Sequence, residues 1–295
     1  MESFRGNIRR VVGCARAGKR VRPSRFLPGV ILSPPSVRQA CTAGARALRL
    51  AICDPPVIDA SLPLLGLIVP PRSGAVPDDG PVLYGDRVRF TARGLGLGEI
   101  STRGYEQVID HVVDIAAALA ADGAQAISLM GTSLSFFRGA RFNETLEAEM
   151  TRRVGLPCTT MSNAIVRGLR ALGVRRVAVA TAYIDEVNTR LGAYLADSDL
   201  VATTIRGLAI TGVAKVAEVS TDTLVTLCES VWRAEPRSEG ILISCGGLLT
   251  LDAIAIVEAR LGVPVMSSSP AGFWDLMRTA GRDSRVPGRG RLLET

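Results

Sequence analysis

The chain has 295 residues, room for two domains of ordinary size, and its 47% hydrophobic and 21% charged residues exclude wholesale disorder. Aromatics are 4%, which argues against a surface built to stack bases. The formal charge of +7 is confined to the first sixty residues, with 11 Lys and Arg against 3 Asp and Glu; the other 235 carry 24 against 25, so the body is neutral and no nucleic-acid partner is expected.

In residues 1–63, Arg9-Arg10 has the look of a twin-arginine signal. Arg16, Lys19, Arg20, Arg22 and Arg25, then Pro28, Pro34 and Pro35, interrupt the apolar stretch that export requires. The segment reads as a basic Arg/Pro-rich leader, either disordered or translated from upstream of the true start. Ordered structure is expected from near Leu64. No run of about 18 apolar residues occurs, so no membrane is expected.

From there the pattern alternates. Leu65–Pro71 reads as a buried strand, 105–121 as a helix and 126–130 as a strand. Helices follow at 142–154 and 164–172, with a strand at 156–161 between them. The second half opens with a strand at 176–182, then a helix at 184–195, a strand near 208–210, a helix at 223–233 and a strand at 240–244. Such alternation predicts βαβ units and parallel sheets. The halves also repeat each other. Gly155-Leu-Pro-Cys-Thr-Thr-Met-Ser162 aligns with Gly262-Val-Pro-Val-Met-Ser-Ser-Ser269, and Ile127-Ser-Leu-Met-Gly-Thr-Ser133 with Ile241-Leu-Ile-Ser-Cys-Gly-Gly247. A duplication predicts two similar α/β domains, 64–174 and 175–269, about a pseudo-two-fold axis, with a helix at 270–280 packing back on the first and a tail at 281–295. Ligands bind at the carboxyl ends of parallel strands, so Gly131-Thr-Ser133 and Cys245-Gly-Gly247 are expected to face one cleft.

Scarcity narrows the chemistry. His111 is the one histidine, and Lys19 and Lys215 are the two lysines, which excludes a multi-histidine zinc site. Cys14, Cys41, Cys53, Cys158, Cys228 and Cys245 show no CxxC spacing. Cys245, at the junction of a strand and a helix and followed by two glycines, is the candidate reactive thiol, its thiolate favoured by a helix N-terminus. Cys158 and Cys228 read as core. Thr132, Ser133, Ser135 and Tyr183 offer donors without a base or metal, a set suited to an oxyanion or an enediolate. His111, beside Gln107, Asp110 and Asp114, reads as a solvated surface residue. Gly94-Leu-Gly-Leu-Gly98 lacks the GxGxxG spacing and reads as a mobile loop beside the cleft.

Taken together, Gly66–Pro71, Gly94–Gly98, Ser128–Gly139, Ala180–Asp185, Ser244–Ala253 and Ser267–Asp275 resemble, in order through the body, the arylmalonate decarboxylase family of the aspartate/glutamate racemase superfamily. The resemblance implies two Rossmann-like domains with parallel four-stranded sheets and the active site between them. It also implies a cofactor-free, metal-free decarboxylation of α-aryl or α-alkenyl malonates. Carried over, the enediolate donors are Thr132, Ser133, Tyr183 and the N–H groups of Cys245 and Gly246, and Cys245 protonates one face. Pro71, Leu97, Ile100, Tyr105, Val213 and Val216 would line the substrate pocket, with Gly131 and Gly247 at its strand ends.

The rival within the superfamily is a racemase or cis-trans isomerase. A two-base racemase needs an acid on each face, and the position equivalent to Cys245 is Gly131, which has no thiol. A carboxylate-binding protein is the non-enzyme alternative. The expected partner is a small carboxylate substrate, the protein is expected to be a monomer, and the need for a free thiol points to the cytoplasm.

Overall fold

Two parallel four-stranded sheets with helices between their strands make up the body of the chain. The structure is a computed structural model and describes residues 59–295, so residues 1–58 of the leader lie outside it, with Cys14, Cys41 and Cys53 among them. The first sheet contains β1 (Leu64–Val69), β2 (Arg89–Gly94), β3 (Ala126–Leu129) and β4 (Cys158–Thr160), ordered β2-β1-β3-β4. The second contains β5 (Arg176–Thr181), β6 (Val201–Gly207), β7 (Gly240–Ser244) and β8 (Val265–Ser267), ordered β6-β5-β7-β8. The two orders are the same pattern, so the duplication read from sequence is a duplication of topology.

The central strands are apolar because both faces are covered. Every residue of β3 and of β7 is buried. The edge strands are different. In β2 (Arg-Phe-Thr-Ala-Arg-Gly) and β6 (Val-Ala-Thr-Thr-Ile-Arg-Gly) no residue is fully buried. β2 has no apolar run to announce it and was not expected from sequence, and one expectation is corrected: the strand expected near 208–210 lies at Val201–Gly207, where the sequence is half polar.

The helices are α1 (Asp79–Tyr84), α2 (Thr102–Glu106), α3 (Val112–Ala121), α4 (Thr132–Phe136), α5 (Ala140–Val154), α6 (Met161–Ala171), α7 (Asp185–Asp197), α8 (Thr221–Ala234), α9 (Leu251–Leu261) and α10 (Ser268–Thr279). The single helix expected over 105–121 is broken into α2, a 3-10 turn at Ile109–His111, and α3. Ser101 caps α2 by accepting the Gly104 N–H at 3.2 Å. A Cβ at Gly104 would stand 2.2 Å from the Glu99 carbonyl oxygen, so this glycine lets α2 lie directly on the preceding loop and turns Tyr105 into the core.

The repeat motif has matching stereochemistry in its two copies. Gly155 ends α5 at φ +69° and Gly262 ends α9 at φ +70°, both left-handed caps that favour glycine. β4 and β8 follow, then α6 and α10. The latter two helices pack on each other, and α10 also meets β4 and α1 of the first lobe, as expected for the helix at 270–280. The last residues are folded too: Tyr84 donates to the Ser284 carbonyl at 2.8 Å, and Leu292 and Leu293 are buried. Among the described residues no helix is long and apolar enough to cross a membrane.

Candidate active site

Cys245 follows β7 directly, at the carboxyl end of the second sheet. It does not begin a helix: residues 246–250 form a turn before α9 starts at Leu251. Leu248 closes that turn by donating to the Cys245 carbonyl at 3.2 Å. The expectation of a thiolate stabilised by a helix terminus is thereby corrected. Burial dominates and pushes the thiol up to about 11, against weaker opposing effects from the Gly247 N–H and the Tyr183 hydroxyl. A shift in that direction favours the neutral thiol over the thiolate.

Around the sulfur stand hydroxyls from both lobes. Tyr183 sits just past β5 and is 1% exposed. Its backbone is pinned, since its N–H donates to Thr181 Oγ1 at 3.1 Å and its carbonyl accepts the Ala209 N–H at 3.2 Å. The Tyr183 hydroxyl is buried beside Cys245, Ser244 and Thr132, yet none of them completes a hydrogen bond to it. Its ionisation is driven well above the ordinary phenol value, first by burial and then by Cys245 and Tyr105. Tyr105 behaves likewise: its hydroxyl is buried next to Ser133 without a completed bond, and burial raises its pKa. Thr132 and Ser133 open α4 at the end of β3, after Gly131. The Thr132 hydroxyl rests on the Met161 sulfur at 2.8 Å, a weak acceptor. Ser135 points elsewhere, bonding Ser162 at 2.6 Å and the Thr132 carbonyl at 2.9 Å.

Unpaired buried hydroxyls are costly, at about 1–3 kcal/mol each. Tyr105, Tyr183 and Ser244 all carry one here. A cluster of unused donors around a buried thiol is matched to an anion with several oxygens.

A segment from each lobe covers the site. Leu97 and Ile100, on the loop after β2, are buried. The Ile100 N–H donates to the Thr211 carbonyl at 2.9 Å, and Glu99 pairs with Gly212 in an antiparallel bridge. Leu95 and Leu97 also donate to the Val69 and Pro70 carbonyls at 2.9 and 2.8 Å. The Gly94–Gly98 segment is therefore bonded to the first lobe, and Glu99 and Ile100 directly after it are bonded to the second, so it does not hang free beside the cleft. Val213 is half-buried and Val216 buried, in a 3-10 turn at Val213–Glu218. A Cβ at Gly247 would touch Val216 Cγ1 at 3.2 Å, which puts Val216 against the Cys245 turn.

Two expected roles change. Pro71 is exposed, and the proline beside the strand end is Pro70, whose Cγ would lie 3.3 Å from a Cβ at Gly131. The Cys245 N–H is already committed, donating to Ser268 Oγ at 3.2 Å. Of the two backbone donors expected at 245 and 246, the Gly246 N–H is the one left. Gly246 fits closely against the first lobe, since a Cβ there would meet the Met161 sulfur at 2.8 Å. Ser244 and Ser268 were not singled out by sequence. The available signal for Ser268 was the repeat itself, in which it is the counterpart of Met161.

The remaining candidates stay outside. His111 and Lys215 are exposed. Burial raises Cys158 to about 11 and Cys228 to about 12, as suits core thiols. Among the described residues no three His, Cys, Asp or Glu side chains converge as metal ligands.

Fold and site together define a two-lobed α/β enzyme with a buried cysteine at the carboxyl end of the second sheet. The family model for arylmalonate decarboxylase matches residues 65–293. An arylmalonate decarboxylase of Bordetella bronchiseptica is 60% identical over 236 residues, 80% of this chain and 98% of that protein. A maleate isomerase of Nocardia farcinica is 29% identical over 133 residues, 45% of this chain and 52% of its own. A crystal structure of arylmalonate decarboxylase matches with a TM-score of 0.72 at 60% identity, over 79% of this chain and 99% of that one. The maleate isomerase of Pseudomonas putida S16 matches with a TM-score of 0.74 at 22% identity, over 79% and 98%, a likeness of fold. The chain belongs to the arylmalonate decarboxylase family and is a carboxy-lyase, which sets aside the carboxylate-binding protein.

Proposed function

We propose that this chain decarboxylates α-aryl or α-alkenyl malonates to single enantiomers of monocarboxylic acids, without a cofactor, through an enediolate. One carboxylate would sit among Leu97, Ile100, Val213 and Val216. An anion is poorly solvated there, which favours departure as neutral CO₂. The other carboxylate would lie on Thr132, Ser133, Tyr183 and the Gly246 N–H. When the C–C bond breaks, its electron pair enters the second carboxylate and makes the enediolate. Each preorganised donor is worth about 2.7–4 kcal/mol at such a charge. Cys245 then delivers its proton to one face of the α-carbon, and water restores the thiol.

The observation that carries this reading is the Tyr183 hydroxyl, buried and unengaged beside Thr132, Ser244 and the protonated Cys245. We infer further that the enzyme acts as a monomer on small carboxylates, in the cytoplasm, where thiols stay reduced. The test is CO₂ release from phenylmalonate in EDTA, with chiral analysis of the product from a methyl-substituted analogue. Turnover to one enantiomer supports the reading. No turnover by folded protein, with isomerisation of maleate instead, moves the chemistry to a cis-trans isomerase.

A further inference from the structure

Helix α10 belongs to the second half by sequence and to the first lobe by packing. A Cβ at Gly272 would lie 3.0 Å from the Met130 sulfur, and one at Gly80 would overlap the Phe273 ring. Two turns in, Asp275 is buried and accepts from Thr159 at 2.5 Å and from Arg167 at 2.7 Å. Arg167 also bonds Glu147 at 2.8 Å, and Glu147 accepts from Asn163 at 2.7 Å. These partners lie on β4, α5 and α6, so α10 is anchored to the lobe that carries Thr132 and Ser133. Its first residue nevertheless reaches the other lobe. Ser268 Oγ accepts the Cys245 N–H at 3.2 Å, and Ser268 has no exposure to solvent.

The repeat gives this contact a counterpart. Met161 is the position equivalent to Ser268, and Thr132 follows Gly131, the equivalent of Cys245. Met161 supports Thr132 through its sulfur at 2.8 Å and lies against Gly246. The first residue of the helix after the fourth strand of each half thus holds the loop after the third strand. In the second half that residue is a serine, and it holds the backbone of the thiol-bearing residue.

We propose that Ser268 is a positioning residue. Its hydroxyl, anchored to the first lobe through α10 and the Asp275–Arg167–Thr159 cluster, sets where the Cys245 sulfur stands relative to Thr132 and Ser133, and so which face of the intermediate is protonated. This rests on Cys245 being the proton donor. Ser268 touches no substrate in this assignment; it fixes a distance between lobes that neither lobe fixes alone.

The experiment compares Ser268→Ala, Ser268→Thr, Asp275→Asn and Cys245→Ala for kcat, KM and enantiomeric purity of the product acid. Thermal midpoints are recorded alongside. Ser268→Ala is expected to lower kcat about tenfold with KM little changed, the effect of an interaction felt mainly in the transition state. It should also erode enantiomeric purity as water competes with a misplaced thiol. Ser268→Thr keeps the hydroxyl and restores purity. Asp275→Asn loosens the anchor without touching Ser268 and erodes purity in the same sense, which keeps the test decisive if Ser268→Ala is unstable. Wild-type kcat and purity in Ser268→Ala, or undiminished purity in folded Asp275→Asn, overturns the inference. Full activity in Cys245→Ala overturns the underlying acid assignment instead, so the two failures are distinguishable.

Discussion

Gly131 and Cys245 occupy the same place in the two halves of the molecule. Cys245 directly follows the third strand of its half, β7, which ends at Ser244, and Gly131 lies two residues past the end of β3 at Leu129. One position carries a thiol and the other carries a hydrogen. This asymmetry in a symmetric frame is the physical basis for expecting protonation from one side.

Gly131→Cys is therefore expected to let the enzyme interconvert the enantiomers of its product acid, while the parent protein does so negligibly. The new Cβ would meet Leu134 Cδ1 at 2.9 Å and Pro70 Cγ at 3.3 Å. The leucine end can swing aside, while Leu134 Cβ, at 3.2 Å, and Pro70 must yield by a few tenths of an ångström, so the variant is expected to fold with a stability loss of about 1–3 kcal/mol for overpacking. Chiral chromatography of each pure enantiomer after incubation in D₂O checks this. A folded variant without α-deuterium exchange would contradict the facing geometry.

Replacing the thiol itself is the simplest probe of the acid. Cys245→Ala should reduce CO₂-linked product formation by about 10²–10⁴-fold, the usual contribution of a positioned proton donor. Near-native thermal unfolding is expected, since the substitution removes one small buried atom. Retention of more than half the activity would remove Cys245 from the mechanism.

Tyr183→Phe separates stability from activity. The hydroxyl it removes is buried without a partner in the free protein. Deleting such a group is expected to leave stability unchanged or raise it by about 1 kcal/mol, because an unmet desolvation cost disappears. Activity should fall by about 10²–10³-fold with the loss of one enediolate donor. Urea unfolding and steady-state kinetics on the same preparation test both halves; destabilisation would mean that the hydroxyl is satisfied in solution.

Alkaline pH should destabilise the fold. Burial raises Cys158 and Cys245 to about 11 and Cys228 to about 12, from an ordinary value of 9.0. Each thiol holds its proton more tightly folded than unfolded, so rising pH favours the unfolded chain. The stability is full below pH 9 and is lost progressively between pH 9 and 11–12. On the proposed mechanism activity needs the Cys245 proton, and it should then persist to higher pH than for a free thiol. Urea midpoints from pH 7 to 11 in reductant measure the first effect, and a midpoint independent of pH would refute it.

The Arg167–Asp275 contact is expected to matter structurally. Asp275 is nearly inaccessible while the Arg167 side chain is 42% exposed, so the arginine keeps part of its hydration and the pair is only partly screened. Asp275→Ala should cost roughly 2–3 kcal/mol, most of it from stranding Thr159 and Arg167. Urea unfolding reads this, and a loss under 0.5 kcal/mol on the scale of ordinary surface changes would count against the anchor.

Much of this was legible in the chain itself. Buried parallel strands write themselves as apolar runs, so β1, β3, β5 and β7 stand out. The left-handed glycines Gly155 and Gly262 mark two equivalent helix ends, and the duplicated segments around them disclose the paired topology and the pairing of Gly131 with Cys245. The edge strands β2 and β6 were illegible or displaced because a half-solvated edge has no reason to be apolar. The division of the helix over 105–121 depended on how closely α2 could approach Glu99.

What tertiary structure alone decided is the state and setting of the donors. No pattern of neighbours along the chain shows that Cys245 is buried, that its N–H is taken by Ser268, or that the Tyr183 hydroxyl is left without a partner. Those facts depend on segments that meet only in the fold, 23 residues or more apart in sequence. Local periodicity fixes which residues face inward. Desolvation and hydrogen-bond completion depend on what they face, and only the folded chain specifies that.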